Sequence, residues 1–343
     1  MLSSCAVREA DETAPSTAGV GRQTESTTEA DTATEGTDAV SSDTEADSTD
    51  TTEKEPDEPV SATPGELVIP TDFSFLDGIQ RVPFSDANPD DADQGWYPGR
   101  IVRNLATGEV TVKWDRAADT LALIDKYGAI YRGNENEKYV YLTFDCGYEN
   151  KTAEYPNGVT SDILDTLKEK GVSATFFVTG DYLKGTQGER ELVARMLDEG
   201  HIVGNHTLTH PPHGSVGAMV TLTPDQFVEE IKANNDLLHT MFPDAPDMVY
   251  YRPPEGSANE YTLALAQAMG LYSCFWSATE VDFMKDNQPD PAQTLENDKV
   301  KLHNGGVYLL HAISTTNARI LGDLIDYIRS EGYEIRGLDE FVR

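Results

Sequence analysis

The chain is poor in basic residues, poor in cysteine and without a long apolar run. Against 60 Asp and Glu it carries 26 Lys and Arg, a formal net charge of -34. Phosphate backbones are bound by basic faces, so this deficit weighs against nucleic acid as a partner. Three cysteines, Cys5, Cys146 and Cys274, are too few for the disulfide framework of a small secreted domain. No apolar stretch approaches the roughly 20 residues that span a bilayer. The first 60 residues lack Phe, Trp and Tyr altogether and hold 16 acidic side chains, 3 basic ones and 19 Ser or Thr. Such a stretch buries too little apolar surface to offset the entropy of ordering, so residues 1–63 are expected to form a disordered acidic tether.

Every aromatic residue lies beyond that stretch, and the remainder is long enough for one sizeable core. Residues 64–137 read as an N-terminal arm and hairpin packing on the body. Pro64, Pro70, Pro83, Pro89 and Pro98 punctuate short apolar pieces, and Ile101, Val102, Val110, Val112 and Trp114 flank the turn formers from Asn104 to Gly108. A helix is expected from Arg116 to about Lys126. Residues 138–343 alternate apolar runs with amphipathic stretches. Strands are predicted at 139–144, 174–178, 201–204, 249–251, 272–276, 306–310 and 333–335, with helices between them. Seven strands separated by helices place the chain in the α/β class, with a parallel sheet whose natural closure is a barrel.

Reactive groups of such folds collect at the carboxyl ends of strands. Asp145 follows the first predicted strand, His206 and His210 the third and Arg252 the fourth; Asp282 lies past the fifth and His311 closes the sixth. One such residue alone is most simply a satisfied polar group. Five strand ends contributing together point to a site. His206-Thr207-Leu208-Thr209-His210 sets two imidazoles at i and i+4, which on one helical turn face the same way and can grip a metal ion. The bland alternative is a surface helix with two solvated histidines. A third ligand is open between Asp145 and Cys146.

Thr143-Phe144-Asp145, His206 to His210, Arg252-Pro253-Pro254-Glu255-Gly256, Val281-Asp282-Phe283 and Leu309-Leu310-His311 resemble, in order, the five motifs of the polysaccharide deacetylase family, the NodB-homology or family four carbohydrate esterases. The resemblance runs from about Lys138 to the C-terminus. Thr143 to Asn150 and Phe275-Trp276-Ser277 are similar to the branch that deacetylates N-acetylmuramic acid in peptidoglycan. It implies a distorted (β/α) barrel of NodB-homology type, one divalent metal ion, and hydrolysis of an acetamido group on an amino sugar. His206 and His210 would hold the ion, with Cys146 where the family has a metal-binding carboxylate; a thiolate there favours Zn2+. Asp145 is then the base, Arg252 the cation that keeps it ionised, His311 the acid, and Asp282 the carboxylate that raises the His311 pKa.

The same resemblance implies substrate contacts from Tyr148, Glu149, Asn150, Pro254, Glu255, Trp276, Phe283 and Leu309, with the Glu255 backbone N–H facing the developing oxyanion. Phe283 replaces the family's usual Trp, and Thr279 a usual Asp. Glu255 stands where the muramic acid branch tends to carry a second arginine, and its charge opposes a lactyl carboxylate. N-acetylglucosamine or chitooligosaccharide is therefore the alternative substrate, and a non-catalytic wall-binding protein the rival from another class. The implied partner is peptidoglycan or another amino-sugar glycan, met by a monomer at a bacterial cell envelope outside the cytoplasm. Met1-Leu2-Ser3-Ser4-Cys5 resembles a bacterial lipobox, so a lipid on Cys5 would be the only membrane contact; a chance Cys near a disordered end is the other reading. His201, His213, His239 and His303 are expected to be solvated or locally hydrogen-bonded, and Cys274 to be a core residue. A Cys146 to Cys274 disulfide is left open.

Overall fold

The longest strand, Tyr139–Cys146, is buried along nearly its whole length and sends successive side chains into two different cores. In the computed structural model, residues 65–81, 84, 96, 99–114, 118–211 and 218–341 are described. The expected tether at 1–63, its Cys5, and His213 lie outside the described residues. The elements in chain order are β1 (Arg100–Arg103), β2 (Val110–Lys113), α1 (Ala118–Lys126), β3 (Tyr139–Cys146), α2 (Val159–Lys170), β4 (Thr175–Val178), α3 (Gly180–Leu183), α4 (Gln187–Asp198) and β5 (Ile202–Asn205). They continue with α5 (Pro224–Met241), β6 (Tyr250–Tyr251), α6 (Glu260–Ala268), β7 (Tyr272–Ser273), β8 (Ala278–Thr279), α7 (Pro291–Val300), β9 (Gly306–His311), α8 (Thr315–Ser330) and β10 (Glu334–Arg336).

The main sheet runs β7-β6-β5-β4-β3-β9-β8, with β10 also pairing β3, and every pair is parallel. It curls into the distorted barrel expected from the sequence. Parallel strands covered on both faces read as continuous apolar runs, which is why β3 shows no polar alternation. Val140, Leu142, Phe144 and Cys146 face outward into a core with Ile163, Leu164 and Leu167 of α2, Met196 of α4 and Leu324 of α8. Tyr141 joins the inner cluster of Phe177, Cys274, Phe275, Trp276, Val307 and Leu309. A fully buried side chain of this size contributes about 1.5–3 kcal/mol, so the two clusters together fix which face each strand turns inward.

The helices start where the sequence supplies caps. Thr223 and Gln226 form a capping box around Pro224 at the start of α5, and Asp290 accepts the backbone N–H of Gln293 at the start of α7. Strands β6 and β7 are shorter than expected, two residues each, and β8 is absent from the sequence reading altogether. Two-residue strands have no period to detect. Between β7 and β8 the chain steps off the ladder, and Ile130 pairs there with Cys274 while Arg132 pairs with Gly306. The end of the N-terminal segment is therefore stitched into the barrel wall. Trp96, Trp114 and Tyr131 pack with the inner cluster beside it.

Candidate active site

The site is built on the carboxyl ends of β3, β5, β6 and β9. Strand period puts Thr143 and Asp145 on the inner face, and the ladder sets Asp145 directly beside His311. Arg252 follows β6, is fully buried, and sits over the Phe177 ring with Cζ 4.1 Å from its centroid. Gly204 makes room for that ring, since a Cβ there would sit 2.7 Å from Phe177 Cδ1. An isolated buried guanidinium costs several kcal/mol, so its donors must all find acceptors. Nη1 donates to Asp145 Oδ1 at 2.7 Å, Nη2 to Thr143 Oγ1 at 2.8 Å and to the Phe275 carbonyl at 3.3 Å, and Nε to the Cys274 carbonyl at 3.1 Å. Burial alone would push the Asp145 carboxyl up; the neighbouring Arg252 guanidinium, foremost, outweighs it and holds the group below the usual carboxylate range.

His206 Nδ1–H donates to the Arg252 carbonyl at 2.9 Å, which fixes the tautomer because a carbonyl can only accept. Burial lowers the pKa of this imidazole to about 4, so Nε2 presents a lone pair. That lone pair faces Asp145 Oδ2 at 3.3 Å, acceptor against acceptor, a contact that a cation relieves. The His210 ring stands edge-on to the His206 ring with centroids 4.8 Å apart. The pair is brought together without a helical turn, contrary to the sequence expectation: Thr207 and His210 have φ of 68° and 50°. The turn is held instead by Asn205 Oδ1, which accepts the Thr207 N–H at 2.9 Å, and by Glu230 of α5, which accepts from the Thr209 backbone and hydroxyl. Two imidazoles beside a carboxylate suit a divalent ion with positions left for water and substrate. Among the described residues no cluster of three His, Cys, Asp or Glu side chains encloses an ion by itself.

Cys146 is not one of the donors. It lies within β3, one residue from Asp145, so its side chain turns to the outer face and packs among apolar side chains at 0% exposure. Burial and the neighbouring Glu149 and Asp145 charges also push its thiol well above the ordinary range. The expectation that it completes the metal shell is corrected by strand geometry. Cys274 is likewise buried, and its thiol donates to the Tyr272 carbonyl at 3.2 Å, so the Cys146 to Cys274 disulfide is not formed.

Opposite Asp145, His311 Nδ1–H donates to Asp282 Oδ1 at 2.7 Å, and the His311 backbone N–H donates to Asp282 Oδ2 at 2.9 Å. Asp282 is fully buried and also accepts from the side-chain amide of Asn317, at the start of α8. Burial would lower the His311 pKa; the Asp282 charge and hydrogen bond outweigh this and raise it. Sequence reasoning missed Asn317, Asn205 and Glu230. Ser314 caps the first turn of α8, a visible signal, but nothing in the sequence says where the Asn317 amide points.

The implied cleft residues divide. Tyr148, Glu255 and Phe283 are exposed, and the Phe283 ring lies 5.6 Å from that of His311. Pro254, Trp276 and Leu309 are buried beneath them. Glu149 and Asn150 serve the frame rather than the cleft. Glu149 accepts from Asn150 N, Thr160 N and the Tyr182 hydroxyl, and Asn150 Nδ2 donates to the Ile313 carbonyl. His201 and His303 are buried and locally hydrogen-bonded, and His239 pairs with Asp247 at 2.8 Å.

Residues 132–274 match polysaccharide deacetylase. Over 221 residues the chain is 38% identical to the peptidoglycan-N-acetylmuramic acid deacetylase PdaA of Bacillus subtilis, covering 64% of this chain and 78% of that protein. This chain belongs to the polysaccharide deacetylase family. An uncharacterised 30.6 kDa protein of Geobacillus stearothermophilus is 41% identical over 220 residues, 64% of this chain and 77% of its own. The structure of Bacillus subtilis PdaA, a family 4 carbohydrate esterase, superposes with a TM-score of 0.62 at 34% identity, covering 72% of this chain and 95% of that one. In this polysaccharide deacetylase, Asp145 pairs with Arg252 and His311 with Asp282, side by side on neighbouring strands.

Proposed function

We propose that the protein removes acetyl groups from N-acetylated amino sugars of peptidoglycan, N-acetylmuramic acid foremost, with a divalent ion, Zn2+, held by His206 and His210. The observation that carries this reading is the pair of oppositely tuned groups on neighbouring strands: a carboxylate held ionised by Arg252 and an imidazole held protonated by Asp282. His206 and His210 would hold the divalent ion, which would supply Lewis acidity for the acetamido carbonyl and the attacking water. Asp145 Oδ2, the oxygen Arg252 leaves free, takes the proton of the attacking water. His311 Nε2 gives a proton to the departing amine while Nδ1 stays on Asp282. The buried Arg252 and Asp282 keep both groups in their working protonation states.

Similarity to PdaA supports muramic acid as the sugar. The enzyme then works outside the cytoplasm on the wall, as a monomer, with Cys5 as a lipid attachment point. One observation favours a second reading: Glu255 is exposed on a left-handed turn, φ 54°, beside the site, and its charge suits an uncharged N-acetylglucosamine better than a lactyl carboxylate. Purified peptidoglycan, treated with the protein and then digested, decides between them by mass spectrometry of the released sugars. Deacetylated muramic acid or its lactam is expected first. Deacetylated glucosamine alone, with muramic acid activity gained on Glu255→Arg, would reverse the choice. Failure to release acetate from either sugar would refute the reading.

A further inference from the structure

The family match begins at residue 132, yet a residue well before it is built into the site's support. Trp96 is 2% exposed and donates twice to active-site loops: its backbone N–H to the Gly256 carbonyl at 3.0 Å, and its indole Nε1–H to the Trp276 carbonyl at 2.7 Å. Its ring packs on Phe275 at 4.9 Å and edge-on to Tyr131 at 5.2 Å. Gly256 is clamped between the Trp96 backbone and Cβ on one side and the Trp276 indole on the other. A Cβ there would lie 2.6 Å from Trp96 Cβ and 2.8 Å from Trp276 Cη2, and φ of 65° keeps the position in the left-handed region.

Both segments that Trp96 touches belong to the Arg252 network. The Gly256 turn follows Arg252 directly, and the segment ending in Trp276 contributes the Cys274 and Phe275 carbonyls that accept from Arg252 Nε and Nη2. Arg252 Nη1 in turn holds Asp145. We propose that Trp96 is a positioning residue: its indole N–H locks the 274–276 segment, and through it the guanidinium that orients the base. The N-terminal segment is thereby part of the catalytic apparatus rather than a spacer. The inference concerns the same site as the proposed deacetylation and rests on that reading for its kinetic consequence alone.

Trp96→Phe removes the indole donor and keeps an aromatic ring and the backbone bond to Gly256. Two measurements on the full chain test the proposal. Amide hydrogen exchange in peptides spanning 253–257 and 274–277 is expected to quicken about tenfold, since a buried carbonyl loses its donor, while exchange in 139–146 stays unchanged. Acetate release is expected to fall about tenfold or more in kcat with KM within twofold, because a small misplacement of a catalytic group weakens the transition state more than binding. Trp96→Ala should exceed Trp96→Phe in both. Unchanged exchange in both peptides overturns the proposal, as does a loss confined to melting temperature with kcat intact. Absence of acetate release by the wild-type protein would sink the deacetylase reading alone, and the exchange experiment would still decide the role of Trp96.

Discussion

Replacing Asp282 by Asn isolates the group that keeps His311 protonated. Asp282 is fully buried and receives His311 Nδ1–H at 2.7 Å, the His311 backbone N–H at 2.9 Å and the Asn317 amide. A hydrogen bond to a charged group contributes about 1.5–3 kcal/mol, and about 1.36 kcal/mol corresponds to a tenfold change in a protonation equilibrium. Asn at 282 keeps one acceptor for Nδ1 but has no charge, so His311⁺ loses about that much stabilisation. The direction follows from the role. His311 acts in its protonated form and its pKa is raised in the folded protein, so activity fades as pH rises through that value. In Asp282→Asn the basic limb of kcat/KM for acetate release should move to lower pH by about one unit or more. The new amide also turns an N–H toward two existing donors, which should lower stability by about 1–3 kcal/mol in urea unfolding. A pH profile whose basic limb stays where it was, in a folded variant, would refute the assignment of His311 as acid and Asp282 as its partner.

Arg252→Met leaves Asp145 buried without its cation; stability should fall by about 3–5 kcal/mol at neutral pH and acetate release by at least about a hundredfold, read by urea denaturation and steady-state rates. Because the folded pKa of Asp145 is depressed, the stability it contributes is present above the unfolded carboxylate value and is lost as pH falls through the folded value, a loss the variant should not show. Cys146→Ala should leave the metal content of the purified protein unchanged by elemental analysis, whereas His206→Ala should remove it; a thiol ligand would make the two alike. Gly204→Ala should displace Phe177 from beneath Arg252, costing about 1–3 kcal/mol and lowering kcat, and a variant with wild-type rate and stability would show that the ring is not needed there.

The sequence by itself determined the fold class, the order of the motifs and the residue types that do the chemistry. Those rest on local signals: apolar runs at strand length, caps such as Thr223 with Gln226, and reactive residues placed just after predicted strands. Alternation along β3 even contained the answer for Cys146, since neighbours on a strand face opposite sides and Asp145 faces inward. Tertiary structure decided what local pattern does not encode. The 206–210 turn takes left-handed residues rather than a helix because Asn205 and Glu230 satisfy its backbone, Glu230 from 21 positions away, while Asn234 holds the Asn205 side chain from 29 positions away. Asn317 reaches Asp282 across 35 positions, Arg252 reaches Asp145 across 107, and Trp96 reaches Trp276 across 180. These contacts are set by how the sheet curls and which helix covers which strand. Buried polar atoms must then find partners wherever the packing puts them, and a chain read one residue after another carries no record of that choice.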